Sequence, residues 1–374
     1  MQKIVVIGAG ILGASTAYHL AKFGAEVTLV DRKDSGQATD AAAGIVCPWL
    51  SQRRNKAWYQ LAKGGAKYYP ELIAQLEADG EKETGYQQVG AISLHKEMNK
   101  LEQMAERARK RREDAPEIGE INILSPAETK QLFPPLSEEY GSVHVSGGAR
   151  VNGRALRESL IRASIKHGVT FLNGNASLVM EKNQVVGIKL EGKIHPADQV
   201  IDTAGAWSNE LLQPLGVHFL VKPQKAQIIH LELPETDTSK WPVVIPPQNH
   251  YILTFENGRV VVGSTHENEA GFDTRVTTGG IHDILSKALE VAPGLSAGTY
   301  LETRVGFRPV TPGFLPVIGA LPDYQGIYLA NGLGASGLTS GPYLGMELAK
   351  LVLGKQTEID LSSYDVSGAL STEE

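Results

Sequence analysis

Along the first thirty residues the apolar positions fall into three blocks. Ile4-Val5-Val6-Ile7 runs without polar alternation, which predicts a strand buried on both faces. Residues 14–23 then read as a helix, and 26–30 form a second apolar strand that ends at Asp31. Between the first strand and the helix stand Gly8, Gly10 and Gly13 in a G-x-G-x-x-G spacing. A buried strand, a glycine turn and a helix N-terminus in that order make a cradle for a pyrophosphate. Gly8 permits the tight turn, Gly10 lets the main chain approach an anion, and Gly13 permits close helix–strand packing. Asp31, 18 residues beyond Gly13, stands where a carboxylate can accept hydrogen bonds from an adenosine ribose. The N-terminus reads as a dinucleotide site.

The rest of the pattern frames that unit. Small residues fill 35–44, as suits a backbone passing close to a ligand. Residues 58–76 predict an amphipathic helix and 89–95 a strand. The run 98–112 mixes lysine, arginine and glutamate at helical spacing, which reads as a solvated face and not as a nucleic-acid patch. A helix over 152–167 has Asn152 as its cap and Gly168 as its stop, followed by strands at 169–172, 176–181 and 185–190. Residues 200–208 form an apolar strand ending in small residues, with a helix behind it to Leu212. From 217 to 307 β-branched and aromatic residues predict antiparallel strands at 227–233, 251–255, 259–264 and 300–307, with Asn257-Gly258 as a hairpin turn and one helix at 280–291. A last short strand, 326–330, runs into the glycine-rich stretch 331–339 and a helix ending near Leu353. A βα core thus opens and closes the chain, with a mostly antiparallel sheet inserted.

Bulk composition narrows the class. A chain of 374 residues carries one large or two ordinary domains, and its net charge of −6 gives no reason to expect nucleic acid. The single cysteine, Cys47, excludes an internal disulfide and suits a reducing compartment, so a cytoplasmic location is expected. No apolar run is long enough to span a bilayer, so no integral membrane contact is expected. The ten histidines show no ligand-like pairing, so no metal is expected. The oligomeric state stays open and admits a homo-oligomer.

Glycine-rich helix starts at both ends of the chain suit a long cofactor with two ends. FAD fits: the first helix faces the pyrophosphate, and the last aims its positive end at the flavin pyrimidine. An NAD site built on the first motif alone leaves the small residues near 35–44, 203–208 and 331–341 without a role. The ordered set Gly8-Ala9-Gly10-Ile11-Leu12-Gly13, Asp31, Ala41-Ala42-Ala43-Gly44, Thr203-Ala204-Gly205-Ala206-Trp207-Ser208, Gly306-Phe307-Arg308-Pro309, Leu315-Pro316-Val317-Ile318-Gly319 and the 331–339 loop resembles the D-amino-acid oxidase family of flavoproteins, most of all its glycine oxidases. The resemblance covers essentially the whole chain. It implies an α/β fold: a Rossmann-like, glutathione-reductase-type FAD-binding domain from 1–85, 141–216 and 310–374, interleaved with a mostly antiparallel substrate domain from 86–140 and 217–309. It implies flavin contacts at Gly8, Gly10, Ile11, Leu12, Gly13, Asp31, Arg32, Thr39, Ala43, Gly44, Ile45, Gly205, Leu333, Gly334, Ala335, Ser336, Gly337, Leu338 and Thr339, with the main chain at Ser177 holding the adenine. Two departures bear on the substrate: Ala38 stands where a hydroxylated residue is usual, and Gly334-Ala335-Ser336 is less bulky than in glycine oxidases. Relatives that bind flavin covalently use a cysteine in the C-terminal part. None exists there, so non-covalent FAD is expected.

The substrate end follows from charge. An amino-acid oxidase must hold a carboxylate rigidly, and a buried arginine can bond both oxygens. Strand period puts Arg304, Gly306 and Arg308 on one face, with Gly306 leaving room beside two guanidiniums. The family match selects Arg308 as the clamp and Tyr251 as a second donor, while Arg304 remains an alternative by residue type. His250 points to the opposite face and is not nominated. The resemblance implies oxidation of glycine, sarcosine or a small D-amino acid by hydride transfer to flavin N5, with no essential proton-transfer residue. Oxo acid, ammonia or amine, and hydrogen peroxide from dioxygen are the products. A D-amino-acid dehydrogenase passing electrons to a quinone, an NAD dehydrogenase, and a non-catalytic nucleotide-binding subunit are the other readings.

Overall fold

A computed structural model describes residues 2–371. Its first sheet has six strands, in the order Val317–Ala320, Ile327–Asn331, Gln199–Asp202, Lys3–Ile7, Glu26–Asp31 and Thr170–Asn173. All pairings are parallel except the outermost one, between Val317–Ala320 and Ile327–Asn331. The unbroken apolar run of the first strand has a direct cause. Ile4 and Val6 enter one hydrophobic core, against the helices, while Val5 and Ile7 enter another. Helices Ile11–Lys22, Lys56–Ala78, Gly153–Lys166 and Gly337–Val352 form the first of these layers and pack on one another. Asn55 caps the second helix and Asn152 the third, each accepting from a first-turn amide. A small antiparallel sheet of Ala176–Glu181, Gln184–Leu190 and Lys193–Pro196 helps cover the opposite face, with Ile188 and Leu190 in the second core.

The second sheet has eight strands: Thr299–Val310, Lys222–Glu232, Arg259–Gly263, Tyr251–Thr254, Val243–Ile245, Ala91–His95, Gly141–Val145 and Ile121–Leu124. It is antiparallel throughout except where Val243–Ile245 runs parallel to Ala91–His95. Ile92, Ile229, Leu231, Ile252 and Val262 face helix Thr278–Val291, while Ile228, Leu253 and Val261 face the core shared with the helices. The hairpin at Asn257-Gly258 has positive φ at both positions, as its turn type requires. Helix Met98–Arg112 buries only Leu101, Met104, Ala105 and Ala108, so its charged positions form the solvated face expected. Strands Gln227 and Tyr300 were expected to open begin five and one residues earlier, because Lys222–Glu232 and Thr299–Val310 pair along their whole length. Short strands at 121–124, 243–245 and 317–320 have no sequence forecast. Strand Gly141–Val145 pairs within this larger sheet, so the segment assigned above to the cofactor unit from 141 onward begins with a strand of the other sheet.

The contact between the first and last helices tests this packing. A Cβ added at Gly345 would sit 2.7 Å from Ser15 Cβ and 2.8 Å from the Leu12 carbonyl. We expect Gly345→Ala to lower unfolding free energy by about 1–3 kcal/mol in urea titrations. Gly279→Ala, where an added Cβ meets nothing within 4 Å, is the control and should be neutral or slightly stabilising.

Candidate active site

Three backbone turns meet at the carboxyl edge of the parallel sheet, where ligands bind in open α/β folds. Gly8 has φ of +98°, and a Cβ there would lie 2.5 Å from the Thr203 carbonyl oxygen. A Cβ on Gly13 would lie 1.8 Å from the Gly8 carbonyl oxygen, so helix and turn touch through bare backbone. The Thr203 hydroxyl donates to the carbonyls of Ile7 and Gly8, both at 2.9 Å. Asn331 joins the third turn by donating to the Gly205 carbonyl at 2.9 Å and the Ser208 hydroxyl at 2.7 Å. Asp202 anchors this layer: its Oδ1 accepts from Ala204 N–H and from Ser208, both at 2.9 Å.

A single cavity runs along these turns. Its lining gathers Gly8, Gly10, Ile11 and Leu12 from the first turn, and Asp31, Arg32, Thr39, Ala43, Gly44 and Ile45 from the next segment. Ser177 and Gly205 join them, with Leu333, Gly334, Ala335, Gly337, Leu338 and Thr339 from the last loop and Tyr251 and Arg308 from the second sheet. Gly13 and Ser336 do not line it. Gly13 is spent on packing against Gly8, and the buried Ser336 hydroxyl accepts from the Trp58 indole at 2.8 Å. Both helix N-termini at the cavity, at Gly10 and Ser336, lack a side-chain cap and an acidic residue in the first turn. Ile11 N–H donates to the Thr39 hydroxyl at 3.0 Å, and the other first-turn amides and the positive dipole ends suit an anionic or electron-rich ligand.

The carboxylate of Asp31 is partly engaged. It accepts from Ala9 N–H and Lys33 N–H, both at 2.6 Å, and from Gln37 at 2.9 Å, which leaves acceptor capacity toward the cavity. The Arg32 guanidinium is paired with Asp34 and with Glu210, the latter at 2.6 Å. Small residues, uncapped helix starts and a half-satisfied acid at one end fit a long dinucleotide lying along the groove. Buried Cys47 does not line it, and burial pushes its thiol up to about 12.

At the other end, sheet register decides the two arginines. Arg304, Gly306 and Arg308 stand opposite Ile228, Ala226 and Gln224, all on the face toward the cavity. The space expected beside Gly306 is not free, because an added Cβ there would lie 2.7 Å from the Ala41 Cβ. The 38–41 turn therefore wedges between the guanidiniums. Arg304, which does not line the cavity, is neutralised by Glu302, with Nε donating at 3.0 Å and Nη2 ion-paired at 2.5 Å. Arg308 has no carboxylate partner among the described residues. It donates to the Ser264 hydroxyl at 2.6 Å and to Gln224 Oε1 at 3.2 Å, both neutral. Burial holds its pKa below the usual arginine range, while the Tyr251 hydroxyl beside it acts the other way. The Tyr251 hydroxyl lies over Gly263, where a Cβ would come within 2.8 Å of it, and burial raises its pKa. Gln224 and Ser264 carry no motif and were missed in the sequence. Only the strand register reveals them.

A buried cation with neutral partners is costly unless an anion completes it. The family described as DAO, FAD dependent oxidoreductase, matches residues 3–351. The chain belongs to the DAO family of FAD-dependent oxidoreductases. Oxidoreductase YurR of Bacillus subtilis (strain 168) is 66% identical over 372 residues, covering 99% of this chain and 100% of YurR. Glycine oxidase of Pseudomonas aeruginosa is 31% identical over 378 residues, covering 99% of this chain and 100% of that enzyme. The crystal structure of iminodiacetate oxidase (IdaA) from Chelativorans sp. BNC1 superposes with a TM-score of 0.94 at 46% identity, covering 97% of this chain and 98% of that one. This flavoenzyme is thus of the amino-acid and amine oxidase type, FAD is its cofactor, and the NAD and non-catalytic readings fall away. No helix among the described residues is long and apolar enough to cross a membrane.

The layer under the cavity gives a pH signature. Burial pushes Asp202 up from 3.8 to about 6, and its Oδ2 has no hydrogen-bond partner. The folded protein then holds a proton that the unfolded chain has released, so this group's contribution falls as pH rises from about 4 to 6. Asp202→Asn should remove a decline of about 2–3 kcal/mol over that window, read as the parent–variant difference in urea unfolding at each pH.

Proposed function

We propose that this flavoenzyme oxidises a small amine carrying a carboxylate, with secondary amines of the sarcosine or iminodiacetate type ahead of glycine. The observation that carries the reading is Arg308, a desolvated guanidinium at the end of the cavity with only neutral partners. Its fork would take the substrate carboxylate bidentately, and the Tyr251 hydroxyl would donate a further bond. Gln224 and Ser264 hold the guanidinium against its strand, which fixes where the substrate Cα sits. The preference for an N-substituted amine draws on the 46%-identical relative whose title names iminodiacetate.

The residues predicted to touch flavin take that role in this reading, except Gly13 and Ser336, which act from behind the wall. Asp31 would accept from a ribose hydroxyl, and the uncapped helix starts at Gly10 and Ser336 would face the pyrophosphate and the flavin pyrimidine. Bound FAD supplies the two-electron acceptor for the hydride leaving Cα. In this reading no side chain is assigned the proton transfer, and the amine loses its proton to solvent before the hydride leaves. The imine released then hydrolyses to an oxo acid and an amine or ammonia. Dioxygen is the acceptor of choice and a cytoplasmic location is part of the reading, supported by the single, buried Cys47.

The test is an anaerobic screen in which flavin bleaching is followed with glycine, sarcosine, iminodiacetate and D-alanine. Peroxide yield against artificial-acceptor reduction follows in air. Arg308→Ala should keep its flavin colour and raise KM for any carboxylate substrate by about a hundred-fold. An unchanged KM removes Arg308 from the site. Peroxide-free turnover would move the enzyme to the dehydrogenases.

A further inference from the structure

Both neutral partners of Arg308 are set by one segment that lies outside the cavity lining. Strand Arg259–Gly263 ends with Gly263 opposite Ile228, and the chain beyond it keeps running along Lys222–Glu232. Gln227 N–H donates to the Thr265 hydroxyl at 2.9 Å, and Lys225 and Glu267 exchange both backbone bonds, at 3.0 and 2.9 Å. Ser264, at the head of this extension, accepts directly from Arg308. Asn268 follows the Lys225–Glu267 pair and meets Gln224, whose Nε2 donates to the Asn268 Oδ1 at 2.7 Å.

A buried ammonium fixes the segment. Lys225, almost fully buried, is ion-paired with Glu267 at 3.6 Å and with Asp273 at 3.2 Å. Glu267 also accepts from Gln227 at 2.8 Å and from the Thr265 hydroxyl at 2.6 Å. Breaking such a pair from one side is costly, so the backbone that carries Asn268 is held in place. The Asn268 side chain is itself exposed.

Asn268 decides which end of the Gln224 amide faces the guanidinium. A primary amide is an acceptor at its oxygen and a donor at its nitrogen. With Nε2 spent on Asn268, Oε1 faces Arg308 and accepts from its Nη1 at 3.2 Å. Turned over, the amide would set donor against donor, and Arg308 would keep Ser264 alone. A fork held at one corner can pivot, whereas bidentate carboxylate binding needs both its direction and its plane.

We propose that Asn268 is a positioning residue, fixing the Gln224 amide so that its oxygen holds the Arg308 fork ready for a carboxylate. The inference rests on the reading of Arg308 as the carboxylate clamp. It places control of substrate affinity on an exposed side chain that touches no substrate.

A double-mutant cycle on the FAD-loaded enzyme tests it, with the parent, Asn268→Ala, Gln224→Ala and the double variant. The Kd of acetate, an unreactive carboxylate, is read from the flavin absorbance shift. KM and kcat are read for whichever of glycine, sarcosine and iminodiacetate the anaerobic screen finds fastest. Asn268→Ala should raise both Kd and KM about five-fold, leaving kcat, FAD content and thermal midpoint unchanged. In the Gln224→Ala background the same substitution should add nothing, since the amide it orients is gone. Asn268→Asp, whose side chain only accepts, should recover most of the loss. Unchanged affinity in Asn268→Ala, no recovery in Asn268→Asp, or losses that multiply in the double variant each overturn the role of Asn268. Arg308→Ala, run alongside, separates this inference from the reading beneath it. If Arg308→Ala weakens acetate while Asn268→Ala does not, only the role of Asn268 falls. If Arg308→Ala moves neither Kd nor KM, the clamp reading falls and the inference with it.

Discussion

Three stretches of main chain come together at the edge of the parallel sheet with almost no side chain between them, and the site depends on that contact. Gly8, Gly13 and the Thr203 carbonyl approach so closely that no Cβ fits at either glycine. Asn331 and Ser208 close the same layer through hydrogen bonds instead of packing. Where the wall is backbone, at the glycine turns, the polar groups facing the groove are amides and helix ends, whose positions follow from the sheet. A methyl group added at Gly8 or Gly13 would part the strand from its helix. The groove then exists because the chain omits side chains, and the neighbouring apolar cores keep its floor from collapsing.

The second sheet supplies what the first cannot, namely charge of one sign held away from water. Arg304 and Arg308 are four residues apart on one strand face, and their fates differ for local reasons. The 38–41 turn fills the gap at Gly306, which confines Arg304 to its own side with Glu302. Arg308, beyond the wedge, meets an amide and a hydroxyl in place of an acid. Had an acid stood at 224, the guanidinium would be satisfied without a ligand, and carboxylate binding would have to break an ion pair first. Neutral partners orient the fork and leave its charge unspent.

Much of this was open to reading from the chain, because the strongest signals are steric. The glycine spacing at 8–13, the acid at 31 and the small residues at 41–44 and 331–339 exist for close approach, and close approach leaves a mark on residue type. The long helices announce themselves by period and cap, as at Asn152. Short strands at 121–124, 243–245 and 317–320 gave no such mark, since a few apolar residues suit any buried segment. Residue type and face do not separate Arg304 from Arg308, and in the sequence only the resemblance selects Arg308; register against Gln224 and the neighbouring Glu302 give the two guanidiniums different partners. Ser336 was misplaced by one layer. It stands among lining residues, yet its hydroxyl turns toward Trp58 and supports the wall from outside.

Pairing of arginines along the groove follows what each end must do. At the end near Ser177, Arg32 is already neutralised by Asp34 and Glu210, and the attraction for an anion comes from uncapped amides that carry no net charge. A cofactor held for many turnovers gains from such a preorganised, neutral cradle, since binding need not rearrange ion pairs. A substrate must be recognised and released each cycle, and a bare cation discriminates carboxylates from neutral amines far more sharply than amides do. Leaving Arg308 unpaired costs stability in the empty enzyme, and in the proposed reading a substrate carboxylate offsets that cost. On the proposed reading, the distribution of unpaired charge, absent at one end and present at the other, separates the part of the groove that stays filled from the part that turns over.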